Sequence, residues 1–234
     1  PNEAPLWKRM AYRRVMHHTV THARALIAVS RFVAGEIRET YGQRAFLKVT
    51  VIHDGVDPRF SRRSPSEQED VLRKYDIRPP FFLYVGNAKE HKNVPMLIHA
   101  FQNLRSSERT LVLVTSGREA DGLTMGENIR RLSHVAEDDF PALYSAAETL
   151  VTASRYEGFC LPIAEARACG CPVIALNIGV MPEVVGEGGI LVDFTGEALT
   201  RGLQSPPPSF CGLQRRLWEK VAEETAQCLL TARS

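Results

Sequence analysis

The sequence predicts an α/β fold, a parallel sheet flanked by helices, with a smaller segment on its N-terminal side. Three observations predict it. Continuous apolar runs at residues 81–85, 110–115, 149–153 and 173–176 read as strands buried on both faces. Helix-type segments fill most of the intervals between them, the order that builds a parallel sheet covered by helices. Residues 58–69 shift to Arg, Ser, Pro and Glu with hardly an apolar residue, which divides the chain. The expected domains are therefore 1–58, a linker over 59–70, the main domain over 71–205, and a C-terminal helix within 206–234 packing back toward the N-terminal portion.

Residues 6–22 read as a helix with Leu6, Met10 and Val15 loosely on one side. His18 and His22 stand one turn apart on it, but no carboxylate or cysteine lies close in sequence to complete a metal site. Residues 25–29 form an apolar strand ending at Ser30, whose hydroxyl suits the N-cap of a helix over 31–41 that Gly42 ends. Residues 49–52 form a second buried strand, and Asp54-Gly55 turns the chain outward. Beyond the linker, strand 81–85 precedes a helix over 94–104. Strand 110–115 and a weaker strand over 129–132 follow, and a helix over 138–147 leads to strand 149–153. Ala164, Ala166 and Ala168 favour a helix over 162–169, with Gly170 as its stop. Strand 173–176, a short helix over 182–185 and strand 190–192 complete the domain. Ser205-Pro206-Pro207-Pro208-Ser209 breaks the pattern, and 213–230 reads as a final amphipathic helix carrying Leu217, Val221, Thr225 and Cys228.

With 234 residues, 44% of them apolar, the chain holds one large domain or a domain plus part of another. A net charge of +2 and basic residues not interleaved with aromatics argue against a nucleic-acid binder. Lys8, Arg9, Arg13, Arg14 and Arg24 crowd the first segment against Glu3 alone. They read as a solvated helix face, with contact to anionic lipid at a membrane surface as the alternative. No apolar run reaches the ~20 residues of a membrane span, and no signal peptide opens the chain. Five cysteines, Cys160, Cys169, Cys171, Cys211 and Cys228, are odd in number and scattered, which fits a reducing, cytoplasmic setting. Cys169-Gly170-Cys171 reads as small-residue packing rather than a redox pair.

The stretch Glu157-Gly158-Phe159-Cys160-Leu161-Pro162-Ile163-Ala164-Glu165 lies between a strand and a helix. Its carboxylates stand eight residues apart across a turn that Gly158 is expected to permit through left-handed backbone. Pro162 fits the first helical turn, where its missing N–H costs nothing. The free amides at that helix start suit a phosphate. Glu165, about one turn in, would repel phosphate, so accepting hydrogen bonds from sugar hydroxyls suits it better. Taken singly, Glu165 is an ordinary helix-dipole acid and Glu157 a solvated loop acid. The loop Gly86-Asn87-Ala88-Lys89-Glu90-His91-Lys92-Asn93 also follows a strand and precedes a helix. Gly86 lets backbone approach a ligand, and Lys89 and Lys92 can neutralise phosphate; alone, each lysine would be a solvated surface residue. The loop lacks the Gly-Lys-Ser/Thr ending of a Walker loop. No Asp-x-Asp pair occurs to hold a diphosphate through a divalent ion, so the expectation is metal-independent chemistry with no cofactor.

Glu157-Gly-Phe-Cys-Leu-Pro…Glu165-Ala-Arg-Ala-Cys-Gly170-Cys-Pro172-Val resembles the glutamate–seven–glutamate signature of glycosyltransferase family 4. Val51-Ile-His-Asp-Gly55-Val-Asp57, Tyr84-Val-Gly86-Asn87…Lys92-Asn93 and Asn177-Ile-Gly179-Val-Met-Pro182-Glu183 match in the family's order, and the likeness runs from about Ala28 to Phe194. The resemblance implies a GT-B fold whose Rossmann-like C-terminal domain binds a nucleotide-sugar donor as substrate and transfers the sugar with retention of configuration. It implies catalytic roles for Lys92 at the diphosphate and Glu157 at the donor sugar, with Glu165 on the ribose hydroxyls. Gly86, Asn87, Lys89, Gly179 and the backbone of Phe159, Cys160 and Leu161 would surround sugar and phosphate, with Glu183 in a further loop over the donor. His134 and Val135 fall where relatives hold the base through the main chain. Asn87 stands where relatives often carry arginine, and Lys89 or His91 could substitute. Cys160 replaces the usual second glycine of its turn, and if that position needs positive φ the cysteine costs about 1 kcal/mol of strain.

By the same resemblance, residues 1–58 would be only the closing portion of an acceptor-side domain, with the missing half supplied by further sequence or a partner chain. A monomer enclosing both early strands with its own residues would contradict that. Two other readings stand beside donor transfer. One is a non-catalytic nucleotide-sugar-binding or interaction subunit, and the other is a nucleotide-sugar epimerase on the same fold. The base, the sugar and the acceptor are not encoded by any of these motifs.

Overall fold

Every strand pairing in the structure, a computed structural model that describes residues 5–104, 108–186, 188–208 and 216–232, runs parallel. The chain divides into two units, Pro1–Asp54 with Trp218–Ser234, and Gly55–Leu217. The first unit opens with α1 (Leu6–His22), β1 (Leu26–Ala28), α2 (Arg31–Tyr41), α3 (Gln43–Phe46) and β2 (Val49–Val51). β1 and β2 make a two-stranded sheet. Ser30 accepts from the Val33 amide and Gly42 ends α2 at φ +84°, as their residue types predict. Lys48 reaches back to the carbonyls of Thr21 and Ala23, at 2.9 and 3.0 Å, and satisfies acceptors that the end of α1 leaves open. Leu6, Trp7, Met10, Tyr12 and Val15 on α1 are all exposed, and so is Ile27 in β1. His18 and His22 stack on one another, and His22 Nδ1 lies 2.8 Å from the His18 carbonyl oxygen.

The second unit carries α4 (Pro65–Lys74), β3 (Phe81–Val85), α5 (Val94–Gln102), β4 (Thr110–Val114), α6 (Arg118–Asp121) and β5 (Ile129–Leu132). It continues with α7 (Phe140–Ala146), β6 (Thr149–Thr152), α8 (Leu161–Ala168), β7 (Val173–Leu176), α9 (Met181–Val185), β8 (Gly189–Val192) and α10 (Gly196–Gln204). Its six strands lie in the order β5-β4-β3-β6-β7-β8. Sequence order therefore reverses between β3 and β6, and ligands of such sheets bind outside the carboxyl ends of the two strands at that point. One face of the sheet, with Phe82, Tyr84, Leu111, Leu113, Val151, Ile174 and Leu176, packs against Leu97 and Phe101 of α5 and Leu199 and Leu203 of α10. Helices α4, α7, α8 and α9 pack against one another in sequence pairs, α8 and α9 also meeting β7. The chain returns to the first unit through α11 (Trp218–Thr231), where Cys228 Sγ lies 3.7 Å from Thr50 Oγ1 of β2.

The structure corrects several expectations. The stretch 59–70, read as a linker, is helical from Pro65. Ser64 and Glu67 form a reciprocal capping box with Pro65 in the first turn, and those local signals outweigh the scarcity of apolar residues. Only Val71 of α4 is buried, which is why composition disguised it. Helix α10 was not anticipated, although Thr195 caps it and its Leu199 and Leu203 stand one turn apart. The final helix, expected over 213–230, runs from Trp218; residues 209–215, Cys211 among them, lie outside the described residues, and Leu217 bridges to Val56 while the Val56 amide donates to the Arg216 carbonyl at 2.7 Å. That pairing holds the backbone extended until Trp218.

Candidate functional site

Loops from the carboxyl ends of β3 and β6, neighbours at the reversal point, meet in the second unit. After β3, Gly86 takes φ +151° and its amide donates to the Val114 carbonyl. A Cβ there would stand 3.0 Å from the Tyr84 hydroxyl, which itself donates to the Asn87 carbonyl at 2.6 Å. The loop therefore folds over a buried tyrosine, and glycine leaves room for that contact. The 3-10 turn Glu90–Lys92 follows, and Asn93 in left-handed backbone leads into α5. The Arg155 amide donates to the His91 carbonyl at 2.7 Å, tying this loop to the one that follows β6.

That tie sets Lys92 beside Glu157. Lys92 Nζ lies 2.5 Å from Glu157 Oε1, and both side chains are largely buried. A narrow hollow beside them is lined by Tyr84 and Val85 of β3, Thr152 of β6, Ser154, and Cys160 and Pro162 at the mouth of α8. Val85 also borders an open cleft of about 260 Å³ lined by Gly86, Asn87, Ser133, His134, Val135 and Phe140. His134 is exposed and Val135 buried, so the cleft meets the chain directly after β5.

The turn into α8 overturns the expectation for Gly158 and meets the conditional one for Cys160. Gly158 does not carry the left-handed backbone; Cys160 does, at φ +75° and ψ +67°. For a residue with a Cβ that conformation costs roughly 1–2 kcal/mol. Burial pushes the Cys160 thiol up to about 12, with the Glu157 charge adding to the effect, so the group is a neutral packing element. Pro162 sits in the first turn, and Gly170 at φ +74° ends the helix as expected. Phe159 and Leu161 flank Cys160 at the mouth. Lys89 and Asn87 are exposed on the β3 loop, where the Lys89 amide donates to Asn87 Oδ1 at 3.2 Å. Gly179, at φ +57°, lies in the turn between β7 and α9.

Glu165 is among the lining of neither hollow. It sits one turn inside α8, where the hydroxyl of fully buried Tyr144 donates to Oε2 at 2.8 Å. Burial raises its carboxyl above the ordinary glutamate value, while the Tyr144 hydrogen bond and the Arg59 charge pull it back down. Tyr144 in turn lies 6.2 Å, ring to ring, from Phe140, which borders the cleft. Reasoning from sequence missed Tyr84, Tyr144 and Arg59. The two tyrosines were findable, because a tyrosine inside an apolar run needs a partner for its hydroxyl once buried. Arg59 lay in the supposed linker and gave no such signal.

The sequence pattern of the family described as glycosyl transferases group 1 matches residues 67–205. Over 190 residues the chain is 36% identical to the O-antigen chain mannosyltransferase B of Escherichia coli, covering 76% of this chain and 50% of that protein. It is 33% identical over 242 residues to the D-inositol 3-phosphate glycosyltransferase of Streptomyces bingchenggensis, covering 86% and 51%. The chain thus spans about half the length of the curated relatives it matches. Among solved structures, sucrose-phosphate synthase from Thermosynechococcus elongatus superposes with a TM-score of 0.79 at 24% identity, over 94% of this chain and 62% of that one. Anabaena Alr3699/HepE in complex with UDP and glucose gives 0.76 at 20% identity, over 92% and 66%. At such identities these structures speak for the fold, which is that of the GT-B glycosyltransferases.

Proposed function

The chain belongs to the group 1 glycosyltransferases, and from that premise we propose that it binds a nucleotide-sugar donor for a retaining, metal-independent sugar transfer. The observation that carries the reading is the Lys92–Glu157 pair, set where the strand order reverses and beside the mouth of α8. When the bond between the anomeric carbon and the diphosphate oxygen breaks, negative charge grows on that oxygen. A preformed ammonium and a helix N-terminus stabilise such charge without reorganising, typically by several kcal/mol relative to water. Glu157 orients Lys92 before the donor arrives and faces the sugar afterwards. Glu165 accepts from the ribose, Gly86 admits the phosphates close to the β3 loop, and the main chain at His134 and Val135 borders the base. Asn87, Lys89, Phe159, Cys160, Leu161 and Gly179 surround sugar and phosphate in the same reading. The likeness to HepE, whose solved structure holds UDP and glucose, supports a donor of this kind. Retention of configuration rests on the glutamate–seven–glutamate resemblance.

The acceptor side falls to residues outside the second unit. Coverage of about half of each relative supports an acceptor domain completed by further sequence or by a partner chain. No helix among the described residues is long and apolar enough to cross a membrane. The odd number and scatter of the cysteines support a reducing, cytoplasmic compartment, and the basic residues of α1 support peripheral contact with anionic lipid.

A thermal-shift panel of UDP, GDP, ADP and TDP with their sugar conjugates tests the reading. Stabilisation by one nucleotide series, and loss of donor turnover in Lys92→Ala and Glu157→Ala of the complete enzyme, are the expected results. No shift at millimolar ligand would favour an interaction role, toward which the Asn87 and Cys160 departures lean.

A further inference from the structure

A carboxylate that grips a diol needs both of its oxygens aimed, and Glu165 has three rotatable bonds. Something must hold it. Tyr144 is fully buried, and its hydroxyl donates to Glu165 Oε2 at 2.8 Å. The tyrosine is itself fixed. Phe60 and Phe140 stand 6.0 and 6.2 Å from its ring, and Pro141, Ala142 and Leu143 of the same helix are buried. Ser145, the next residue, donates to the Pro141 carbonyl at 2.7 Å and accepts the Arg63 amide at 3.0 Å, which pins α7 to the segment before α4. An ionised carboxylate offers about four lone-pair directions. Tyr144 takes one on Oε2 and leaves the remainder, on both oxygens, for two neighbouring hydroxyls.

We propose that Tyr144 is a positioning residue for Glu165, locking its carboxylate in the orientation that accepts two hydrogen bonds from the cis-diol of a ribonucleotide. The inference rests on the reading of Glu165 as the ribose acceptor and adds the group that makes that contact selective. Arg59, which pairs with Asp57 at 3.2 Å, adds a field that favours the ionised form of Glu165 against burial. Tyr144 does not touch the ligand in this arrangement. Its removal acts through Glu165 alone, so ligands lacking both diol hydroxyls should not sense it.

The test compares UDP, GDP and ADP with their 2′,3′-dideoxy counterparts, which lack both diol hydroxyls, by calorimetry on this chain. Wild-type protein is expected to prefer the ribonucleotide, and Tyr144→Phe to lose about tenfold in its affinity, as for one hydrogen bond to a charged group. Binding of the dideoxynucleotide should stay within about threefold, the margin left for packing changes. On a Glu165→Ala background Tyr144→Phe should have no further effect. Wild-type protein that binds both forms equally would sink the ribose role of Glu165 itself. A normal wild-type preference that survives Tyr144→Phe would overturn only the positioning role. Equal losses for both forms would mark Tyr144 as mere packing and overturn it too. Should Tyr144→Phe fail to fold, Tyr144→Leu, which keeps an apolar side chain in the site without the hydroxyl, takes its place and is read by the same outcomes.

Discussion

Lys92 and Glu157 are 65 residues apart in the chain and 2.5 Å apart in space. The pair is largely desolvated, so breaking it from one side leaves an uncompensated charge. Lys92→Ala is expected to cost about 1–3 kcal/mol of stability in urea unfolding. The double variant Lys92→Met, Glu157→Gln should recover most of that loss, since no lone charge remains. Donor turnover should fall in both, by about 10²–10³-fold for a lost charge-stabilising donor. Restored turnover in the double variant would remove Lys92 from the chemistry.

Gly86→Ala places a Cβ 3.0 Å from the Tyr84 hydroxyl at a backbone φ of +151°. The loop must shift, because Tyr84 is locked in the core and its hydroxyl holds the Asn87 carbonyl. We expect a loss of about 1–3 kcal/mol in stability, in the range for strained backbone, with weakened nucleotide binding. Chemical unfolding and calorimetry on one preparation would show both, and an unaltered affinity would argue that the loop does not meet the ligand.

Cys160→Gly and Cys160→Val separate backbone strain from side-chain packing. Glycine removes the left-handed penalty but loses the buried thiol and loosens the unfolded chain, so its net effect should stay within about 1 kcal/mol. Valine keeps the bulk and worsens the penalty, because a β-branched residue at φ +75° is poorly tolerated. A fall of about 2 kcal/mol or more in its unfolding free energy is the expected result. Equal stability of the valine and wild-type proteins would mean that the turn relaxes.

The preference for ribonucleotide over dideoxynucleotide should depend on pH through Glu165. Ribose hydroxyls donate, so the ionised carboxylate is the binding form, and the preference is lost as pH falls through its pKa. Burial raises that pKa, so the loss should come at a higher pH than for an ordinary glutamate. Arg59→Gln removes a charge that favours ionisation and should move the loss higher still. Taking the ratio of the two ligands cancels the titration of the phosphate itself. A downward move in Arg59→Gln would contradict the assigned electrostatics.

Under the proposed function, which assigns the neutralising charge to Lys92 and the α8 mouth, treatment with EDTA should leave both nucleotide binding and donor turnover unchanged. A collapse in either, restored by added magnesium or manganese, would overturn the metal-independent reading.

The strands and most helices were legible because their signals are local. Unbroken apolar runs such as Phe81–Val85 and Val173–Leu176 mark buried parallel strands, and Ser30 and Gly42 mark the ends of a helix. Helix α4 was not legible even though Ser64, Pro65 and Glu67 announce its start, because it buries only Val71 and so carries no apolar stripe. Glycine type likewise suggested Gly158 for the left-handed turn, whereas the structure carries that conformation at Cys160.

Residue order alone determined which loops carry the lysines, the two glutamates and the close-approach glycine, and that each follows a strand. Only tertiary structure decided that the β3 and β6 loops are neighbours, that Lys92 answers Glu157, and that Glu165 is held by Tyr144 rather than standing beside that pair. The reason is range. Capping, turn and periodicity signals act over a few residues, whereas the pairing of β3 with β6 is a choice among long-range contacts made by the burial of the whole sheet.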